Sequence, residues 1–159
     1  MPDISISLTI NGEGHTAVVE PRKTLADFLR EDCRLTGTHL GCEHGVCGAC
    51  SVIMDGRAVR ACLVFAVQSD GTDITTVEGL APSGSLNPVQ SAFEAEHGLQ
   101  CGFCTPGFVV SATALLQRNP DPTDEEIRQG LSGNLCRCTG YQGILRAVRN
   151  AADAMKANA

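Results

Sequence analysis

The sequence predicts an α+β fold in which a β-rich domain, residues 1–78, precedes a helical domain, residues 79–159. Apolar and polar residues alternate near the amino terminus, whereas apolar residues recur with a helical period in the second half. A turn-rich loop separates the two patterns and contains Pro82, Ser83, Gly84 and Ser85. The chain of 159 residues is long enough for one large domain or two small ones, and it can bury a core in either case.

Two hairpins are predicted in the first half. The segment ISISLTI, residues 4–10, alternates apolar and polar side chains, Asn11-Gly12 supplies a turn signal, and HTAVVE resumes the extended pattern. Further along, SVIM and RAVR flank Asp55-Gly56, which is a strong two-residue hairpin signal. The segment DITTV, residues 73–77, predicts the last strand.

One helix interrupts these strands in the prediction. Thr24 and Asp27 have the spacing of a capping box and open the segment TLADFLRED. Its apolar side chains share one face, which predicts a helix: Leu25, Phe28 and Leu29.

Four helices are predicted after the loop, and together they indicate a small bundle. Asn87-Pro88 opens the first, which Gly98 closes, and Thr105-Pro106 opens an almost wholly apolar second helix. Thr123 with Glu126 forms a capping box for the third. The fourth runs from about residue 141 to 156 and places on one stripe Ile144, Leu145, Val148, Ala152 and Met155.

Charge and hydropathy exclude several classes of protein. The net charge of −6 and the acidic pI argue against a nucleic-acid-binding surface. No apolar run is long enough to cross a membrane, and the amino terminus lacks the pattern of a secretory signal. We therefore expect a cytoplasmic protein, in which nine cysteines act as metal ligands or redox groups rather than as disulfides.

Eight of the cysteines form two sets of four. The first set has the spacing Cys42-x4-Cys47-x2-Cys50, with Cys62 further on, which is the plant-type pattern for a 2Fe–2S cluster. The second consists of Cys101-x2-Cys104 and Cys136-x-Cys138.

Structural zinc is the competing interpretation, because paired C-x2-C knuckles are its usual signature. In the first set Cys42 stands ahead of the C-x2-C pair, and the flanking Gly41, Gly45 and Gly48 would let backbone amides face an anionic cluster. Spacing alone leaves zinc open for the second set. Both of its cysteine pairs precede a predicted helix amino terminus, however, and two helix dipoles directed at one centre favour an anion.

The cysteine-containing motifs resemble the small iron–sulfur subunit of molybdenum hydroxylases, a family that includes xanthine dehydrogenase, carbon monoxide dehydrogenase and aldehyde oxidoreductases. The resemblance covers roughly residues 4–151 and rests on TGTHLGCEHGVCGACSVIMDG, TTVEGL, QCGFCTPGFVVSA and LSGNLCRCTGYQGI. It implies a β-grasp ferredoxin domain of the plant type followed by a four-helix bundle domain, each with one 2Fe–2S cluster.

The same resemblance implies roles for residues and partners. Cys42, Cys47, Cys50 and Cys62 would hold the cluster on the flavin side. Cys101, Cys104, Cys136 and Cys138 would hold the cluster on the molybdenum side. Gln100 and Cys138 match positions that approach the pterin. The partners would be a large subunit with a molybdenum–molybdopterin cofactor, in its dinucleotide form, and a medium subunit with FAD, assembled as a dimer of heterotrimers.

Three other residues invite a functional interpretation. His44 could act as a Rieske-type ligand, but each set already contains four thiols and a Rieske centre needs two histidines. Cys33 is better explained by packing than by reactivity. Arg137 could contact a cofactor phosphate, although a stabilising charge beside an anionic cluster accounts for it equally well.

No catalytic constellation stands out in the sequence, so we expect the chain to move electrons while a partner performs the bond chemistry. Two alternatives stay open. One is a stand-alone two-cluster electron carrier or redox sensor, and the other is an interaction module held together by zinc.

Overall fold

A five-stranded mixed sheet forms the amino-terminal half of the protein. The computed structural model describes residues 2–81 and 84–157. Its strands are β1 (Ile4–Ile10), β2 (Glu13–Val19), β3 (Ser51–Met54), β4 (Arg57–Arg60) and β5 (Asp73–Thr75). They follow the order β2-β1-β5-β3-β4 in the sheet. Strand β1 pairs antiparallel with β2 and parallel with β5, and β3 pairs antiparallel with β4 and β5.

Both predicted hairpin turns are confirmed by their backbone angles. Asn11 and Gly12 have φ values of 53° and 83°, and Asp55 and Gly56 have values of 47° and 77°. Two successive residues with positive φ produce the turn whose twist matches that of the flanking strands. The dipeptides therefore set the register of β1 with β2 and of β3 with β4.

The predicted first helix is present, but most of it is wound more loosely than an α-helix. After α1 (Leu25–Asp27) the chain continues as a π-helical turn, Phe28–Asp32, in which the Cys33 amide donates to the Phe28 carbonyl. The Thr24 cap is confirmed, since its hydroxyl oxygen accepts a hydrogen bond of 3.1 Å from the Asp27 amide. Leu25, Phe28 and Leu29 are buried beneath the sheet.

Strand β5 is shorter than the predicted segment 73–77. The Thr76 amide donates to the Asn11 side-chain oxygen at 2.9 Å, and the Thr76 hydroxyl donates to Glu78 at 2.6 Å. At Thr76 these side-chain hydrogen bonds take the place of backbone pairing with a neighbouring strand. The chain then continues as a 3₁₀ segment, Val77–Leu80. Of the loop predicted to follow, Pro82 and Ser83 lie outside the described residues.

The second half is helical, as predicted. Helices α2 (Pro88–Ala95), α3 (Thr105–Arg118), α4 (Asp124–Leu131) and α5 (Tyr141–Ala157) pack around one apolar core. Asn87 and Thr123 cap α2 and α4 as the capping-box signals indicate. Along the described parts of the chain, no helix is both long and apolar enough to span a bilayer.

The two halves share strand β3. Val52 belongs to the core beneath the sheet, whereas Ile53 packs with Val110 and Ala114 of α3. Successive side chains of a strand point to opposite faces, so β3 is buried by its own domain on one side and by the helical domain on the other. This placement brings the loops that carry the cysteines next to each other.

Candidate iron–sulfur centres

Three cysteines of the first set, Cys42, Cys47 and Cys50, lie on the loop between the π-helical turn and β3. The fourth, Cys62, lies in a 3₁₀ turn, Ala61–Leu63, directly after β4. Gly45 and Gly48 have φ values of 82° and 73°, which an L side chain rarely adopts. Gly41 is closely packed, because a Cβ atom there would lie 3.2 Å from the Cys47 sulfur, which is a tight contact.

Backbone amides of this loop are directed at a sulfur atom, as predicted. The Cys47 amide donates to the Cys42 Sγ at 3.3 Å. This amide, followed by that of His44, lowers the pKa of the Cys42 thiol to about 6. Burial has the opposite effect on Cys50, whose thiol pKa is raised to about 11. The loop therefore stabilises the thiolate form of Cys42 but not that of the buried Cys50.

The second set lies between two helix amino termini. Cys101 and Cys104 immediately precede α3, and Cys136 and Cys138 precede α5. The Gly140 amide, at the start of α5, donates to the Cys136 Sγ at 3.3 Å. Both helix dipoles consequently present their positive ends to the thiols, as predicted for an anionic centre.

Within each set the thiols interact in pairs. Cys42 contacts Cys47 and Cys50 contacts Cys62 through their side chains. In the second set, interaction with Cys101 raises the pKa of the Cys138 thiol, while burial and then Cys136 raise that of Cys104 to about 12. Smaller electrostatic interactions of Cys50 with Cys47, of Cys104 with Cys101 and of Cys138 with Cys136 link the two pairs of each set.

This pairing fits a two-iron cluster, in which each iron takes two thiolates. Within residues 2–81 and 84–157, no group of three Cys, His, Asp or Glu side chains is close enough to hold a single metal ion. The Thr105 hydroxyl, next to Cys104, is buried and has no hydrogen-bond partner among the described residues. It is a donor available to cluster sulfur.

The two cysteine loops touch each other. The Leu135 amide, one residue before Cys136, donates to the Cys47 carbonyl at 2.9 Å, and the Asn134 side chain donates to the Gly48 carbonyl at 3.1 Å. A cavity of ≈ 300 Å³ lies beside these contacts and is lined by residues from both sets, among them Cys47, Cys101, Cys104 and Cys136. The two sets are far apart in sequence, yet both lie at the contact between the domains. We call this contact, formed by Cys47 and Gly48 with Asn134 and Leu135, the interdomain seam.

The remaining candidate residues differ in exposure. Gln100 and Cys101 are exposed and Cys138 is half-buried, so this edge of the second set is open to a partner. His44 is exposed and its ring nitrogen contacts the Cys42 carbonyl at 2.5 Å. Cys33 packs against the core beneath the sheet, and burial raises the pKa of its thiol.

Several residues at the seam were not singled out from the sequence. The Tyr141 hydroxyl accepts a hydrogen bond from the Cys136 amide at 2.9 Å, and Phe103 lies against His39 with ring centroids 5.0 Å apart. Asn134 and Arg60 cross between the domains. Phe103, Arg60 and Tyr141 all lie within three residues of a cysteine, which is a usable sequence signal, but their contacts are visible only in the fold.

Two family models match the chain in succession. The 2Fe-2S iron-sulfur cluster binding domain matches residues 8–78, and a second 2Fe-2S binding domain matches residues 76–149. Together they cover both cysteine sets.

The chain is similar over almost its whole length to proteins of several bacteria. It is 59% identical to the nicotine 6-hydroxylase small subunit of Paenarthrobacter nicotinovorans, with 93% of this chain and 89% of that protein covered. It is 53% identical to the caffeine dehydrogenase subunit gamma of Pseudomonas sp. strain CBB1, with 91% and 89% covered. The crystal structure of quinoline 2-oxidoreductase from Pseudomonas putida 86 contains a chain with a TM-score of 0.93 and 48% identity, with 99% and 98% covered.

Proposed function

The chain belongs to the small iron–sulfur subunits of molybdenum hydroxylases, and from this premise we propose that it passes electrons singly from a molybdenum–pterin site, through two 2Fe–2S clusters, to FAD. Electron transfer within a multi-subunit molybdenum oxidoreductase is the role of this family. The observation that carries the two-cluster route is the contact between the loop of Cys47, in the first set, and the segment that leads into Cys136, in the second.

The proposed ligands are the two sets themselves: Cys42, Cys47, Cys50 and Cys62 for the flavin-side cluster, and Cys101, Cys104, Cys136 and Cys138 for the molybdenum-side cluster. When bound, each cluster supplies a site that takes up and releases one electron. Around these sites the protein contributes amides directed at sulfur, two helix amino termini and a buried hydroxyl, all of which stabilise negative charge.

Exposed apolar side chains beside both sets support the proposal that partner subunits cover the chain. Val46 and Leu63 are 54% and 61% exposed next to the first set. Leu99 and Phe103 are 43% and 48% exposed next to the second. Apolar side chains concentrated near two redox centres favour a chain that is covered on two sides. We assign a medium FAD subunit to the first side and a large molybdopterin subunit to the second, in a dimer of heterotrimers.

The relatives favour a substrate class for the assembled enzyme. Nicotine, caffeine and quinoline, in the names of the similar proteins, are all nitrogen-containing aromatic rings. We therefore propose that the large partner oxidises an N-heteroaromatic compound. The purified complex would be assayed on such rings and on simple aldehydes; turnover of aldehydes alone would contradict this assignment.

The metal content tests the ligand assignment directly. We expect about four iron and four labile sulfides per chain, with little zinc, because eight cysteines match two four-thiolate sites. Metal analysis of anaerobically purified protein, together with the visible sulfide-to-iron absorption, provides the measurement. Two zinc ions per chain without labile sulfide would overturn the iron–sulfur interpretation.

Gln100→Ala tests the molybdenum side. Gln100 is exposed beside Cys101, and the proposed pterin contact across the subunit boundary would lose a hydrogen bond worth about 1 kcal/mol. We expect slower reduction of the clusters by substrate, with unchanged cluster signals and unchanged reoxidation at the flavin end. Rapid-mixing absorption in both directions separates these steps. Equal reduction rates in wild type and variant would remove Gln100 from the pterin contact.

A further inference from the structure

Arg60 joins the two domains at the point where their cysteine loops meet. Its Nη1 donates to the Ser51 hydroxyl at 2.8 Å, and its Nη2 donates to the Gly133 carbonyl at 2.6 Å. Ser51 is adjacent to Cys50, and Gly133 lies three residues before Cys136. One guanidinium group therefore connects the first cysteine loop with the backbone that leads into the second.

The contacts of Arg60 continue into the loops themselves. The Ser51 hydroxyl donates to the Gly48 carbonyl at 2.6 Å, and the same carbonyl accepts from the Asn134 side chain. Next to this network the Leu135 amide donates to the Cys47 carbonyl at 2.9 Å. Leu135 directly precedes Cys136, so this hydrogen bond connects the backbone of Cys47 to the residue next to a proposed ligand of the second set.

The charge of Arg60 is not neutralised by a carboxylate. Among residues 2–81 and 84–157, no Asp or Glu lies within ion-pair distance of its guanidinium. Arg60 is half-buried, which reduces screening of its charge by water. A fixed positive charge at the seam would favour the reduced, more negative form of a cluster on either side.

We propose that Arg60 is a positioning residue for electron transfer between the two clusters, an inference that rests on the proposed function. With both clusters bound, one electron would pass from the reduced cluster of the second set to the oxidised cluster of the first, without bond cleavage or proton movement. Arg60 would hold the Cys47–Leu135 hydrogen bond in register, and its charge would raise the reduction potential of both centres.

Three variants of the assembled enzyme test the proposal: Arg60→Met, Arg60→Lys and Arg57→Met. Arg60→Met removes both the bridge and the charge. Lysine keeps the charge but cannot donate in the planar, two-pronged geometry of arginine. Arg57, in the same strand, is exposed, so Arg57→Met is a matched control that removes an equal charge away from the seam.

The readouts are the reduction potentials of both clusters and the magnetic splitting between them when both are reduced, measured by paramagnetic resonance. For Arg60→Met we expect a weaker splitting and lower potentials, with the reduced-to-oxidised ratio at a fixed potential falling about tenfold, equivalent to about 59 mV. Arg60→Lys should keep the potentials near wild type yet alter the splitting. Arg57→Met should change neither.

Two outcomes would count against these assignments in different ways. Wild-type potentials and splitting in both Arg60 variants, at full iron content, would overturn the role of Arg60 and leave the proposed function intact. Absence of two iron–sulfur signals in the wild-type enzyme would overturn the proposed function and the inference together. If Arg60→Met fails to assemble, Arg60→Lys decides, because an unchanged splitting in that variant excludes the positioning role.

Discussion

Replacing Cys47 with serine is expected to remove one of the two paramagnetic signals of the reduced protein and about half of its iron. A serine hydroxyl ionises far less readily than a thiol and is a poor ligand for iron in a thiolate-ligated cluster. The second set should retain its signal, because the interdomain contact of Cys47 uses the backbone carbonyl, which the substitution preserves. Paramagnetic resonance with parallel iron analysis measures both effects.

Cys33→Ser is the matched control for this experiment. Cys33 lies outside both sets and packs against the core beneath the sheet, so its replacement should leave both signals and the iron content unchanged. Simultaneous loss of both signals in Cys47→Ser would show that the two centres depend on each other for assembly. Loss of the second signal alone would show that the ligands have been assigned to the wrong sets.

Gly107→Ala is expected to destabilise the contact between the domains by about 1–3 kcal/mol, the usual cost of overpacking. A Cβ atom at this position, in the first turn of α3, would lie 2.2 Å from the Gly48 carbonyl oxygen. That carbonyl cannot move freely, because it accepts hydrogen bonds from the Ser51 hydroxyl and from Asn134. The collision therefore displaces α3 or the first cysteine loop.

Thermal loss of the visible iron–sulfur absorption gives the measurement, and about 2–4 °C per kcal/mol is expected for a chain of this size. Gly14→Ala provides the control, since a Cβ atom there would meet nothing within 4 Å. A Gly107→Ala protein with the wild-type transition would mean that α3 does not approach the cysteine loop this closely in solution.

A tight seam between the cysteine loops has a functional consequence under the proposed electron route. The polar contacts across it involve residues beside proposed cluster ligands: Leu135 with Cys47, Asn134 with Gly48, and Phe103 with His39. Movement of one domain against the other would therefore change the separation of the two centres directly. A rigid seam would keep that separation constant during catalytic turnover of the assembled enzyme.

Local signals in the sequence determined most of the secondary structure. Asn11-Gly12 and Asp55-Gly56 are sufficient to specify their turns, because few other dipeptides tolerate positive φ at both positions. The caps at Thr24, Asn87 and Thr123 likewise depend on side chains only three residues away. The cysteine spacing also indicated two sets of four and, with the glycines, amides directed at sulfur.

Tertiary structure alone decided how the two sets relate to each other. The hydrogen bond between Cys47 and Leu135 and the bridge from Arg60 to Gly133 join residues far apart in the chain, and no local pattern encodes such contacts. Similarly, β5 ends early because Asn11, from a distant turn, binds the Thr76 backbone. Strand β3 faces two cores because α3 packs on its outer side. Periodicity shows that a face is apolar, but only the packed structure determines what covers it.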